Sequence, residues 1–427
     1  MRISYSKVAV TLAAASALAL SACAPSPTDS ETGSDAGTAD TATDAGTDGA
    51  TDAETDAEAP AGEATPVTVG MLTSLTGPLG AYGAAYQSGF EAGWDYVTEG
   101  DGELDGFDVT FEWVDDQGNP DTAVTQFKDL VGQGVTIIAG SASSGIATQL
   151  AEQAVQNETL FISGPAATDA VTGINEYTFR SGRQTFQDVA TAGTFLDDIS
   201  GKSVLVFAQD NAFGQGNVAG VEAVLGGAGA EVSSVLVAED ATEFTPFATQ
   251  IVNSEPDMVF VAWAGATTGA MWEALQQQGV FEQTTVVTGL GDVASYQAYG
   301  AASEDLSFLN HYFAGAGQTE AEQAMLDALE ADGQVGDLFS PDGFLAAQMI
   351  AHALTEGGGT DVQAMISALE GATFSSVKGD VEIRAEDHAV LQPMYQVKLV
   401  AGEGGQFAPE LIDTVDASEV APPVAGS

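Results

Sequence analysis

The chain has 427 residues, 62 of them acidic and 9 basic, for a formal charge of −53 at pH 7. So large an excess of carboxylates repels phosphate and excludes nucleic-acid binding. A single cysteine, Cys23, leaves no basis for a disulfide framework.

Residues 1–22 read as a signal peptide. Arg2 and Lys7 open it, and an apolar run over 8–20 follows that is too short to span a bilayer. The run ends in Leu20-Ser21-Ala22-Cys23, which resembles the lipobox of bacterial lipoproteins. That resemblance implies export, acylation of Cys23 and a lipid anchor on the outer face of the cell membrane. Residues 23–65 read as the lipidated cysteine and a disordered acidic tether. Beyond Cys23 this segment is built of Thr, Asp, Ala, Gly, Ser, Glu and Pro, without one aromatic or large aliphatic side chain. It cannot bury enough apolar surface to offset the entropy of ordering.

From residue 66 onward, 7 basic side chains face 51 acidic ones, a formal charge of −44. Such a surface is expected to suit high salt, which screens the self-repulsion. The pattern predicts strands over 67–72, 107–114, 135–139 and 160–163, with helices over 82–97, 120–132 and 145–156 between them. A second alternating run follows, with strands over 202–208, 231–237, 257–263 and 284–289 and helices over 216–225, 244–254 and 267–278. Repeated β-α order argues for an α/β fold of parallel sheets with right-handed crossovers. Two runs suggest two doubly wound, Rossmann-like lobes, with a ligand in the cleft where the carboxyl ends of the strands face each other.

Several segments then resemble, in order, the leucine/isoleucine/valine-binding proteins of ABC importers. They are Leu75-Thr76-Gly77-Pro78-Leu79-Gly80-Ala81-Tyr82-Gly83, Asp115-Asp116 with Gly118-Asn119-Pro120, the run over 137–144, Ser163-Gly164-Pro165-Ala166-Ala167-Thr168 and Thr178-Phe179-Arg180. The likeness covers about 66–410. It implies the type I periplasmic-binding fold, with a first lobe of 66–184 plus 312–378 and a second of 185–311 plus 379–412. A tail of 413–427 would follow. Three crossings are expected near 183–185, 310–312 and 378–380.

The resemblance also implies a site. Ser143 and Ser144 open a helix after a strand, where free N–H groups and the helix dipole favour an anion. Read from the sequence alone, they serve equally as a plain N-cap. In the family this turn and the loop of Ala166, Ala167 and Thr168 hold the ligand's carboxylate. Tyr82 corresponds to an aromatic that covers the ligand. Phe213 stands where the family usually has tyrosine, and Trp263 is either a wall of the site or a core residue. The family's amino-acid binders place an acid after the strand at 284–289 to pair the ligand's ammonium. Here Asp292 arrives one position late, so the amine is open while a carboxylate ligand is expected. Arg180 and Arg183 are either a source of positive potential for that ligand or a structural pair with acids such as Asp188.

No catalytic residue, metal or cofactor is expected. His311, His352 and His388 lack metal-ligand spacing, and no serine has a G-x-S-x-G context. The glycines at 214–220 have the wrong spacing for a dinucleotide loop. The sequence thus reads as a monomeric, non-enzymatic, lipid-anchored binding protein. It would deliver a small carboxylate, most simply an amino acid, to ABC permease subunits. A sensor role and a non-amino aromatic acid ligand are the alternatives.

Overall fold

The computed structural model describes residues 64–196, 198–299, 303, 305–402 and 406–426. The expected signal peptide, Cys23 and the tether up to residue 63 lie outside the described residues.

The first lobe is built on β1 (Thr65–Thr73), α1 (Gly80–Val97), β2 (Phe107–Asp115), α2 (Pro120–Gly132), β3 (Ile137–Gly140), α3 (Ser144–Asn157), β4 (Leu160–Ser163) and β5 (Thr178–Arg180). Its sheet has the order β2-β1-β3-β4-β5, and every pairing in it is parallel. β3 and β4 are short runs buried along their whole length, as strands covered by helices on both faces must be. α2 starts where it does because Asn119 accepts the Thr122 N–H at 3.0 Å and Pro120 stands at the first helical position.

The chain then enters the second lobe with α4 (Thr185–Gly193), β6 (Ser203–Gln209), α5 (Ala212–Val221), β7 (Glu231–Val237), α6 (Thr245–Ser254), β8 (Met258–Ala262), α7 (Thr268–Gln277), β9 (Thr285–Gly289), α8 (Tyr296–Tyr299) and β10 (Leu306–Asn310). It returns to the first lobe as α9 (Glu320–Ala331), α10 (Ser340–Glu356), α11 (Val362–Leu369), β11 (Thr373–Ser376), β12 (Gly379–Ile383) and β13 (Val390–Leu391). It ends in the second lobe with β14 (Met394–Ala401) and β15 (Phe407–Val415). The second sheet runs β15-β14-β10-β9-β8-β6-β7, parallel from β7 to β10 and antiparallel beyond.

The packing of α10 on α1 fixes the first lobe. A Cβ on Gly89 would stand 1.9 Å from the Ser340 carbonyl oxygen, and one on Gly343 would stand 2.0 Å from the Tyr86 carbonyl oxygen. The two backbones can approach this closely only because glycine stands at both positions.

The expected boundaries change at two places. Residues 379–391 were expected in the second lobe, yet Val381, Ile383 and Val390 belong to the apolar core of the first. His388 stacks on Phe179 at 3.8 Å, and its Nδ1 lies 2.9 Å from the Thr178 carbonyl of β5. Residues 377–378 form the β11–β12 turn and 379–380 open β12, so the third passage between lobes lies at Gln392 and Pro393. The alternation along β12 fits either core, and only the tertiary neighbours decide between them. Residues 413–415, expected in the tail, complete β15.

Candidate ligand-binding site

Between β3 and α3 the backbone takes an unusual path. Gly140 has φ +123°, and Ser141, buried and not glycine, has φ +75°. The Ser141 N–H donates to the Leu72 carbonyl at 2.8 Å, and its own carbonyl accepts from the Ala166 N–H at 3.3 Å. This couples the β3–α3 turn to the loop after β4. Ser143 then takes the N-cap position of α3 with extended backbone, and no side-chain hydrogen bond caps the helix. The N–H groups of Ser144, Gly145 and Ile146 therefore point out of the first turn. Ser144 is buried beside them, and its hydroxyl adds a further donor.

The loop of Ala166, Ala167 and Thr168 is held from behind by Arg180. That guanidinium is buried and donates to the carbonyls of Ala166 (2.9 Å), Thr168 (3.0 Å), Gly182 (3.0 Å) and Arg183, and to the Thr172 hydroxyl (2.9 Å). Burial lowers its pKa to about 10, so it stays charged near neutrality. Its donors are spent on the loop, and its role is to shape the site. Arg183 is paired at Nε with Asp188 (3.3 Å), donates to the Pro165 carbonyl (3.1 Å) and lies 5.6 Å from the Phe339 ring centroid. Of the two readings of the arginine pair, the structural one holds for Arg180, and Arg183 has the Asp188 partner that reading named. Thr168 accepts the Ala170 N–H at 3.2 Å.

Across the cleft the lobes touch. Tyr82, from the first turn of α1, packs edge-on to Phe339 at 4.8 Å and faces the Gly265 backbone of the second lobe. Its pKa is pushed up, first by burial and then by the nearby Asp292 carboxylate. A Cβ on Gly265 would stand 3.4 Å from the Pro78 carbonyl oxygen, and one on Gly145 would stand 3.6 Å from Ala212 Cβ. The second contact brings the N-termini of α3 and α5 together, and half-buried Phe213 lies at the second position of α5.

Trp263 follows β8 and packs against Phe207 (5.2 Å) and Phe244 (5.4 Å), with its indole N–H on the Thr267 hydroxyl at 3.0 Å. It is thus anchored in the second-lobe core and half-buried, as the core reading expected. Asp292 is fixed by accepting the Ser295 N–H at 2.8 Å. The structure brings Ser143, Ser144 and residues 166–168 together on the first lobe, with Tyr82 opposite Asp292 and Gly265.

The sequence reading missed three residues here: Ser141, Asp337 and Phe339. The signal at Phe339 was Ser340-Pro341 just beyond it, a helix start that marks a turn but not what the turn faces. A hollow of about 620 Å³ lies elsewhere, at the amino ends of β8, β9 and β10, and is lined by acids such as Glu255 and Asp305.

Two lobes of this topology with a cleft between them narrow the choice, and comparison with known proteins decides the family. The periplasmic binding protein profile matches residues 66–406. The chain belongs to the periplasmic binding protein family. This family comprises extracytoplasmic solute-binding proteins rather than enzymes. The Leu/Ile/Val-binding protein BraC3 of Rhizobium johnstonii is 25% identical over 310 residues, covering 71% of this chain and 83% of that one. An ABC-type branched-chain amino acid transporter structure from Rhodopseudomonas palustris is 26% identical, with a TM-score of 0.71, and covers 84% of this chain and 100% of that one. A solute binding protein of R. palustris in complex with 4-hydroxybenzoate shares the fold at 21% identity and a TM-score of 0.75, covering 82% and 97%.

Proposed function

We propose that this periplasmic binding protein is the lipid-anchored receptor of an ABC importer and captures a small carboxylate in its interlobe cleft. The observation that carries the reading is the uncapped N-terminus of α3, beside the 166–168 loop and closed over by the second lobe. Three backbone N–H groups, the helix dipole and the Ser144 hydroxyl suit one carboxylate. Thr168 turns its hydroxyl to the same loop. Tyr82, Phe213 and Trp263 give the ligand an apolar enclosure, and Asp292 supplies an acceptor for an amine. Ligand binding favours the closed arrangement, because the contacts from both lobes exist together only there. The closed monomer is then the form offered to the permease, and acylated Cys23 keeps it at the membrane.

The relatives named above suggest two ligand classes, branched-chain amino acids and aromatic acids. The acid at 292 favours the first. Titration calorimetry with the proteinogenic amino acids, benzoate and 4-hydroxybenzoate tests the reading. Stoichiometric binding without a product is expected, and turnover of any of them refutes it. Anchoring is tested by metabolic labelling with palmitate: Cys23→Ser is expected to abolish the label and release the protein from the membrane.

A further inference from the structure

Asp292 does not stand alone. On its N-terminal side, the Gly291 N–H donates to the Tyr299 hydroxyl at 3.0 Å. On its C-terminal side, the Val293 N–H donates to both carboxylate oxygens of Asp337, at 3.1 and 3.2 Å. Tyr299 and Val293 are second-lobe residues, but Asp337 belongs to the first. It is tied to the start of α10, where the Ser340 N–H donates to its carbonyl at 3.0 Å and its own N–H donates to the Ser340 hydroxyl at 3.2 Å. Ser340 in turn packs against Gly89 of α1. The bond from Val293 to Asp337 therefore spans the cleft and exists only with the lobes together.

The loop so held is tight, since a Cβ on Gly291 would meet Ser295 Oγ at 2.3 Å. Asp292 uses one oxygen, Oδ1, to hold the Ser295 N–H. Its second oxygen can still accept, and its charge reaches Tyr82.

We infer that Asp337 is a positioning residue for ligand selection: from the first lobe it grips the second-lobe loop, so that closure itself aims the Asp292 carboxylate at the ligand's amine. This rests on the carboxylate-binding reading of the cleft and names the class of ligand within it, an acid that also bears an ammonium group. It also accounts for the late position of the acid. Asp292 comes one position later than the family's acid, and Asp337 draws its loop inward.

The same geometry gives a pH signature. Burial, together with the charge of Asp292, raises the Asp337 carboxyl to about 6. Around it stand Asp292 in the loop, Tyr296 of α8 and Tyr312 after β10, and the hydroxyls of Tyr296 and Tyr312 are held neutral by burial. As pH falls through about 6, the carboxylate gains a proton, turns one acceptor into a donor and loosens its hold on the Val293 N–H.

The test is titration calorimetry on the full folded chain, using the best-bound proteinogenic amino acid and 4-hydroxybenzoate as probes. Asp337→Ala is expected to weaken the amino acid by roughly tenfold, the scale of one lost charge-assisted hydrogen bond, and to leave 4-hydroxybenzoate within about twofold. Asp337→Asn keeps an acceptor for Val293. It should bind the amino acid nearly as the parent does at pH 7.5, without the parent's roughly fivefold loss on going to pH 5. In an Asp292→Ala background, Asp337→Ala should have no further effect. Equal weakening of both probes, no weakening, or a parent protein that binds only the aromatic acid overturns the inference. A folded parent that binds neither class overturns the carboxylate reading of the cleft, and this inference with it.

Discussion

His311 Nε2 lies 3.3 Å from Asp342 Oδ1, and neither side chain has any exposed surface. His311 stands where the chain leaves β10 for the first lobe, and Asp342 lies in the first turn of α10. Lys378 completes the group, 3.1 Å from the same carboxylate oxygen. A Cβ on Gly182, at the first passage between lobes, would stand 2.9 Å from the other oxygen. One buried carboxylate thus touches two of the three connections on which the lobes turn.

This group makes stability depend on pH in a defined window. Burial lowers the pKa of His311 from 6.5 to about 4, against the opposing pull of Asp342. In the unfolded chain the imidazole takes up its proton near 6.5. Between those values the unfolded state binds a proton that the folded state refuses, so stability falls as pH drops from about 6.5 to about 4. The loss is of order 3 kcal/mol at one kcal/mol and a third per pH unit. The Asp342 carboxyl is held well below its usual range by Lys378, so its contribution is lost only in stronger acid. Urea unfolding at pH 7 and pH 4.5 should show that slope, and His311→Gln should flatten it. A slope unchanged by His311→Gln contradicts the assignment.

Arg180→Met should be among the most damaging single changes. It leaves four carbonyls behind the 166–168 loop without their donor, at a cost of about 3–5 kcal/mol. Arg180→Lys should recover little, because an ammonium cannot reproduce the fork. A urea midpoint near that of the parent for either variant would refute this role.

Much of the fold was legible in the sequence because each strand and helix of the two alternating runs carries its own period. β4, β7 and α2 match the expected spans, and the other elements of those runs differ by a few residues at their ends. The first-lobe cluster of the candidate site was legible for the same reason, since Ser143, Ser144 and residues 166–168 follow strands directly. The acidic end was half legible. Asp292 follows β9, but Asp337 sits 45 residues further on, in a turn whose composition says nothing of what it meets. Lobe membership of 379–391 was not legible either, because a short alternating strand fits any apolar surface. Arg180 left two readings open, since charge alone does not separate a ligand contact from a scaffold; its five acceptors do.

Ser144→Ala combined with Thr168→Ala should weaken ligand binding by about tenfold to a hundredfold, as expected for losing one or two hydrogen bonds to a charged group. The fold should survive. Thr168 contributes a single cap-like bond to the Ala170 N–H, worth about 1 kcal/mol, and the structure gives the Ser144 hydroxyl no role in its own helix cap. Calorimetric titration alongside thermal melts separates the two effects. Unchanged affinity would remove these residues from the site.

Salt should stabilise this protein well beyond its effect on ordinary domains. The region from residue 66 onward carries 7 basic and 51 acidic side chains, a formal charge of −44. Among the described residues, five ion pairs involve a lysine or arginine: Arg183 with Asp188, Lys202 with Asp257, Lys378 with Asp342, Arg384 with Asp387 and Lys398 with Glu410. These leave most carboxylates facing one another across water. Raising potassium chloride from about 0.1 M to about 1 M shortens the screening length from roughly 10 Å to roughly 3 Å, below the usual spacing of surface charges. Repulsion that disfavours the compact state then fades, and the melting temperature should rise by several degrees. Isolated surface ion pairs weaken over the same range, but each is worth at most about 1 kcal/mol. The summed repulsion among the carboxylates outweighs these few attractions, so the net effect of salt is stabilising. A melting temperature that stays flat or falls with potassium chloride would contradict adaptation of this surface to high salt.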